Sequence, residues 1–205
     1  QSAVEQVGAN AQAIVCDITD PDSVDRAFDT IAQSGRPLDV LINNAGVYRP
    51  FYLDEATNAE IAEALNINLA GPMFCSRSAL RNMERGGHIL CIGSETAVEK
   101  IAMLGGYQAA KAGLERYCKT LDQELAPRGV RVTLVRAGKM FGPEMDFVMD
   151  LKVAARFSEE NKKPGYDNGS SAISLYASAA QAILALLHLP ADINVPEIVL
   201  AGRHA

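Results

Sequence analysis

The 205-residue chain is short of the residues on which several kinds of site depend. Its three histidines, at 88, 188 and 204, are scattered. Its four cysteines, at 16, 75, 91 and 118, contain no Cys-x-x-Cys and no pairing rhythm. A zinc site is therefore not expected, and the cysteines read as buried free thiols of a reducing, cytoplasmic compartment. Basic residues are outnumbered: Lys+Arg 19 against Asp+Glu 25 gives a net charge of −6, without any Lys/Arg block. That excludes the electrostatic footprint of a nucleic-acid binder. Long apolar runs are lacking too. The most apolar stretch, 172–189, is broken by Ser174, Ser178, Gln181 and His188, which suits a core helix and not a membrane span. No basic segment followed by an apolar one marks a secretory signal.

What is present is ordinary for a folded protein. Hydrophobic residues make up 48% and charged residues 21%, which excludes disorder, collagen and coiled coil. At roughly 150 residues per domain, the length favours one domain over 1–205. Ala13 to Cys16 is a short apolar run and predicts a buried strand. Asp20 as N-cap and Pro21 at the first helical position then open a helix. Val24, Ala27, Phe28 and Ile31 repeat along it with helical spacing, and Gly35 ends it. Val40-Leu41-Ile42 is the next strand, running into Asn43-Asn44-Ala45-Gly46.

Thr57-x-x-Glu60 is a capping box for a long helix with Ile61, Leu65, Leu69 and Met73 on one stripe, ending near Gly86-Gly87. Strand His88 to Ile92, a helix over about 106–125 stopped by Pro127 and Gly129, and strand Val130 to Val135 follow. The polar segment 138–173 predicts a substrate lid. A helix over about 175–188 and strand Glu197 to Leu200 close the chain. Alternating strands and helices, with strands apolar enough to be covered on both faces, predict a doubly wound α/β fold with a parallel sheet. In such sheets the chemistry collects at the carboxyl ends of the strands.

Those strand ends are Asp17, Asn43 to Gly46, Ser94 and Ala137-Gly138. Tyr107 and Lys111, at i and i+4 of the helix after Ser94, project from the same side about one turn apart. An ammonium beside a phenol favours the phenolate, but moving a pKa of about 10 to neutrality takes roughly 4 kcal/mol. A partly solvated lysine does not supply that alone, so a second cation or a strong hydrogen bond is required. Singly, each residue has a plainer reading: a turn for Asn-Asn-Ala-Gly, a cap for Ser94, a satisfied buried amide for Asn68.

Together, Cys-Asp-Ile-Thr-Asp at 16–20, Asn-Asn-Ala-Gly at 43–46, Ile-Asn-Leu-Ala-Gly at 67–71, Ile-Gly-Ser at 92–94 and Tyr107-x-x-x-Lys111 resemble the short-chain dehydrogenase/reductase family. The resemblance covers nearly the whole chain and implies a Rossmann-like fold binding NAD or NADP. It implies Tyr107 as general acid/base, Ser94 orienting the carbonyl or alcohol, and Lys111 on the nicotinamide ribose while depressing the tyrosine pKa. Asn68 would sit at a helix kink and hold a water of the proton relay. Asp17 and Ile18 would meet the adenine, Asn44, Ala45 and Gly46 would line the cofactor pocket, and Ala137, Gly138 and Met140 would border the nicotinamide. The positively charged ring of the oxidised cofactor would be the second cation for Tyr107. A homodimer or homotetramer, through the helices at 58–84 and 106–125, is also implied.

The sequence departs from the family pattern in several places. Ala137-Gly138 stands where Pro-Gly is usual, and Gly142 where a threonine is common. Arg136 and Lys139 read as cations for a cofactor phosphate or anionic substrate, or, the favoured reading, as solvated loop charges. Met140, Phe141, Met145, Phe147 and Met149 suit an apolar substrate wall or simple lid packing. No Gly-x-x-x-Gly-x-Gly occurs, so the chain is expected to open late in the helix before the family's third strand. A preceding βαβ unit of roughly 30 residues or more would complete the sheet. Three functions stay open: carbonyl–alcohol oxidoreduction on a small molecule, a non-redox lyase, isomerase or cyclase using the same Tyr-Lys pair, and a non-catalytic NAD(P) sensor.

Overall fold

Four parallel strands form the frame of a computed structural model that describes residues 8, 10–142, 149–166 and 172–203. They are β1 (Val40–Asn43), β2 (His88–Ser94), β3 (Arg131–Ala137) and β6 (Glu197–Leu200), adjacent in that order. Between β1 and β2 run α2 (Asn58–Leu65), a π-helical turn over Asn66–Ala70, and α3 (Gly71–Ala79). Helix α4 (Gly105–Leu125) links β2 to β3, and α5 (Leu151–Glu160) and α6 (Tyr176–Leu187) lie between β3 and β6. A separate parallel pair, β4 (Met140–Phe141) and β5 (Ser174–Leu175), flanks α5 along the chain. Helix α1 (Pro21–Ala32) precedes the sheet.

Side-chain alternation along the strands makes the sheet two-faced. Ile89, Cys91, Val132 and Leu134 pack against Val24 and Phe28 of α1, Cys75 and Ala79 of α3, and Leu114, Cys118, Leu121 and Leu125 of α4. Leu90 and Val135, with Val40, Ile92 and Ile198, pack the other way against Ile183, Leu186 and Leu187 of α6. Burial on both faces, at about 1.5–3 kcal/mol for each large side chain, is the doubly wound arrangement the alternation predicts.

The caps form as read. Asp20 accepts from Asp22 N at 3.0 Å, and the Thr57–Glu60 box closes reciprocally at 2.9 and 3.2 Å. Gly35 and Gly129, at φ +69° and +67°, adopt the left-handed conformation that ends a helix most cheaply in glycine.

Three expectations need correction. Residues 13–16 form no ladder, and Val15 is 99% exposed. A strand is held by its neighbours' hydrogen bonds, and β1 does not pair with this segment. The long helix ends at Ala79 and not near Gly86. Its buried side is Ala64, Asn68, Pro72, Cys75 and Ala79, leaving Leu65 and Met73 partly exposed, because a strict four-residue repeat drifts around a helix of 3.6 residues per turn. The polar segment 138–173, where a substrate lid is expected, contains α5, with Asp150 accepting from Lys152 N and Val153 N at 2.8 and 3.2 Å. Met145 and Phe147, like the start of the chain at 1–7, lie outside the described residues, so the Met/Phe wall is placed only in part.

At the amino end of β2, remote from the carboxyl ends, His88 is 3% exposed. Thr133 donates its hydroxyl hydrogen to Val195 O at 2.7 Å, so it must accept from His88 Nε2 at 2.8 Å. Nδ1 is then unprotonated, and it has no hydrogen-bond partner. Burial, and secondarily Arg131, hold the imidazole pKa down to about 4. Because the folded value lies below the unfolded one of about 6.5, the neutral ring stabilises the fold above that pH, and this stability is lost as pH falls from about 6.5 towards 4. The gap corresponds to roughly 3 kcal/mol at the acid end. His88→Gln keeps a donor for Thr133 and does not titrate. Urea unfolding at a series of pH values should show the wild type losing stability faster than the variant across that window; parallel curves would refute the assignment.

Candidate active site

The carboxyl ends of β1, β2 and β3 open on a cleft of about 220 Å³. Asn44, Gly46, Val47, Tyr48, Asn68, Ile92, Gly93, Ser94, Tyr107, Lys111, Ala137 and Gly138 line it. Its position follows from the topology: parallel strands end together, and the loops leaving them converge.

Ser94 is the last residue of β2. Its Oγ caps the following turn, accepting from Thr96 N at 3.2 Å, as the plain cap reading has it, and it lies near enough to the Tyr107 phenol to favour its ionisation. Gln108, beside Tyr107, donates Nε2 to Thr96 O at 2.7 Å and Glu99 O at 2.6 Å, which fixes the loop after Ser94 onto α4. Lys111 is 5% exposed, donates Nζ to Ile92 O at 2.8 Å, and lies 5.7 Å from the Tyr107 ring centroid. Burial pushes its pKa down to about 8. Burial likewise raises the Tyr107 pKa, opposed by the Ser94 hydrogen bond. The buried phenol thus starts above its ordinary range, and the requirement for a further cation is sharper than the sequence alone implies.

Asn68 sits inside the π-helical turn, so the kink expected there exists. Its amide is fully buried. Nδ2 donates to Ala64 O at 2.9 Å and Val47 O at 3.0 Å, and Oδ1 accepts from Val47 N at 3.2 Å. The side chain anchors the loop after β1, as the reading of a satisfied buried amide has it. A Cβ on Gly46 would come within 2.9 Å of that Oδ1 and 3.7 Å of Lys111 Nζ, so the close approach requires glycine. At Gly138 a Cβ would meet Glu95 Oε2 and Leu200 O, both at 3.0 Å.

The remaining residues divide. Ile18 and Ala45 line a neighbouring hollow of about 100 Å³ that shares Asn44 with the cleft. Asp17 and Met140 line neither. Asp17 is exposed and accepts from Thr19 N and Oγ1 at 2.9 and 2.7 Å, which holds its carboxyl below the usual range. Met140 is held in β4 opposite Ser174. Gly142 lies against the ring of Tyr176, where a side chain would collide.

Arg136 answers to neither reading offered for it. It makes a bidentate pair with Glu115 at 2.8 Å and a second ion pair with Glu197 at 2.9 Å, joining α4, β3 and β6. Its side chain is 18% exposed, so it is neither solvated nor available to a ligand. Lys139 is exposed between β3 and β4.

Tyr48 is the residue the sequence reading missed. Its ring meets Tyr107 edge-on at 5.1 Å and Phe157 of α5 at 6.1 Å, placing it between the acid/base candidate and α5. Its position two residues after Asn-Asn-Ala-Gly at a strand end was the available signal. Arg156 of the same helix pairs with Glu55 at 2.7 Å and covers the Tyr52 ring at 4.7 Å, holding α5 on this loop.

The chain belongs to the short-chain dehydrogenase family, whose model matches residues 1–146. It is 35% identical over 144 residues to 3-oxoacyl-[acyl-carrier-protein] reductase MabA of Mycobacterium avium, covering 69% of this chain and 56% of that protein. It is 36% identical over 132 residues to carbonyl reductase family member 4 of Danio rerio, covering 64% and 56%. The chain thus spans a little over half the length of these relatives. Among solved structures, a dehydrogenase/reductase from Sinorhizobium meliloti 1021 superposes with a TM-score of 0.78 at 27% identity, over 97% of this chain and 76% of that one. A short chain dehydrogenase from Burkholderia cenocepacia J2315 in complex with NADP gives 0.75 at 29% identity, over 98% and 79%.

Two substitutions test this geometry. Gly46→Ala should displace the Asn68 amide and cost about 1–3 kcal/mol in urea unfolding; an unchanged midpoint would contradict the close approach. Arg136→Met should cost about 2–4 kcal/mol by leaving Glu115 buried without its partner, and adding Glu115→Leu should recover most of it. A double variant as unstable as the single one would show that the pair itself is needed.

Proposed function

We propose that this chain carries the catalytic portion of an NAD(P)-dependent oxidoreductase that interconverts a carbonyl and a secondary alcohol on a small molecule. The observation that supports this most directly is the convergence of Ser94, Tyr107 and Lys111 in one cleft, with the Ser94 hydroxyl near enough to the phenol to favour its ionisation. Membership of the short-chain dehydrogenase family, and relatives named as carbonyl and 3-oxoacyl reductases, favour the same chemistry.

The donor set suits the nicotinamide–ribose half of a dinucleotide. Lys111 Nζ and the Tyr107 phenol can hold ribose hydroxyls, and Gly46 and Gly138 let main chain approach without side chains. Ala137, Gly138 and Met140 are assigned to the nicotinamide side, Asn44 and Ala45 to the pocket, and Asp17 and Ile18 to the adenine side. When bound, the cofactor supplies the hydride and, in its oxidised form, a positive ring near Tyr107. The residues do the rest. Ser94 orients the substrate oxygen, Tyr107 gives or takes its proton, Lys111 favours the phenolate, and Asn68 holds the π turn through which a water-borne proton relay reaches Lys111. The substrate's remaining substituent faces Tyr48, which makes an apolar group the better fit. A homodimer or homotetramer through α2–α3 and α4 belongs to the same proposal.

The test is absorbance at about 340 nm with NADH and NADPH over a panel of neutral ketones. Oxidation of either cofactor is expected, with kcat/KM lowered about 10²–10⁴-fold by Tyr107→Phe. Turnover without a change in that absorbance, abolished by the same variant, would replace the reading with a non-redox one. Cofactor binding without any turnover would favour a sensor.

A further inference from the structure

The strand end at Ser94 carries one contact that its turn does not need. Ser94 Oγ accepts from Thr96 N at 3.2 Å, and that bond alone caps the short helical turn Glu95–Ala97. Any residue other than proline at position 96 would supply the same N–H. Thr96 adds a hydroxyl, whose Oγ1 lies 2.9 Å from Ser94 Oγ, and both residues are buried. The turn is held from its other side by Gln108, which donates Nε2 to Thr96 O at 2.7 Å and to Glu99 O at 2.6 Å. Gln108 follows Tyr107 on α4, so Thr96, Ser94 and the turn that bears the phenol are tied to one another.

The direction of the hydrogen bond between the two hydroxyls follows from counting hydrogens. A hydroxyl has one hydrogen to give and two lone pairs to accept with. The Thr96 N–H occupies one lone pair of Ser94. If Ser94 gave its hydrogen to Thr96, the Thr96 hydrogen would stay in a buried turn with no acceptor among the described residues, and an unmade buried hydrogen bond is costly. Thr96 is therefore the donor. Both lone pairs of Ser94 are then taken, and what it has left is its hydrogen. Ser94 lines the cleft and Thr96 does not, so that hydrogen is what the pair offers to a molecule entering it.

We propose that Thr96 is a positioning residue that makes Ser94 a hydrogen donor towards the cleft, and so sets it for a substrate carbonyl oxygen. Thr96 itself touches no substrate. The proposal rests on the reading of the cleft as a carbonyl–alcohol oxidoreductase site. A carbonyl oxygen has lone pairs and no hydrogen. As it gains charge during reduction, a donor already aimed at it stabilises the transition state more than the bound ketone. Without the Thr96 hydroxyl, Ser94 keeps a free lone pair, its O–H turns among more orientations, and part of this preorganisation is lost. Donation from Thr96 also polarises the Ser94 O–H and strengthens the bond it gives.

Two measurements on the full chain test this, one of them without substrate. Proton NMR of the cofactor-free chain at low temperature should show a slowly exchanging hydroxyl proton coupled to the Thr96 Hβ, absent from Thr96→Val, and no protected Ser94 hydroxyl. A protected Ser94 hydroxyl, or a rapidly exchanging Thr96 one, would overturn the proposal whether or not the chain reduces ketones. In ketone reduction, Thr96→Val should lower kcat about 5–10-fold with the KM for the reduced cofactor unchanged, and Thr96→Ser should restore kcat to within about twofold. An unchanged kcat in Thr96→Val, or a loss that Thr96→Ser does not recover, would also overturn it. A wild-type chain inert to every ketone would overturn the oxidoreductase reading instead, and the hydroxyl exchange would still decide the direction of the Thr96–Ser94 bond.

Discussion

The amide of Asn68 holds the site together. It is fully buried in hydrogen bonds to Ala64 on its own helix and to both main-chain groups of Val47 across from it. A buried amide with these partners missing would cost several kcal/mol, so the π turn and the loop after β1 can exist only together. From that joint follow the close approach of Gly46, where a Cβ would lie 2.9 Å from the amide oxygen, and the placement of Tyr48 on Tyr107. The attachment of α5 to the same loop through Phe157 and Arg156 depends on it as well.

The rest of the frame separates stability from chemistry along the strands. The amino ends carry the buried His88–Thr133–Val195 chain, and the middle of the sheet carries two apolar faces. The carboxyl ends carry groups whose ionisation is displaced by burial, Lys111 downwards and Tyr107 upwards. Desolvation of both partners works against the charged pair, phenolate and ammonium, that proton transfer needs.

Beneath that end, packing gathers Cys75, Cys91 and Cys118 into one core cluster. They read as scattered buried thiols because nothing local relates residues on a helix, a strand and the next helix. Arg136 shows the same limit: its partners Glu115 and Glu197 lie on α4 and β6, and a charge that looked loop-bound is buried by them.

What the sequence determined by itself is what depends on neighbours along the chain. The Asp20 and Thr57–Glu60 caps, the ends at Gly35 and Gly129, the apolar strands and the Tyr107–Lys111 spacing all rest on short-range hydrogen bonding, backbone freedom and helical period. So does the placement of Ser94 and Asn44 to Gly46 at strand ends. The tertiary structure decided what depends on contacts between distant segments. Residues 13–16 are no strand because strand hydrogen bonds need a neighbour, and α5 is a helix whose short amphipathic stretch gains its stability by docking on Tyr48 and Glu55. The Asn68 anchor, the Tyr48 wall and the Arg136 pairs likewise exist only once the sheet brings distant segments together. Periodicity records which side of an element is apolar; only packing decides what that side meets.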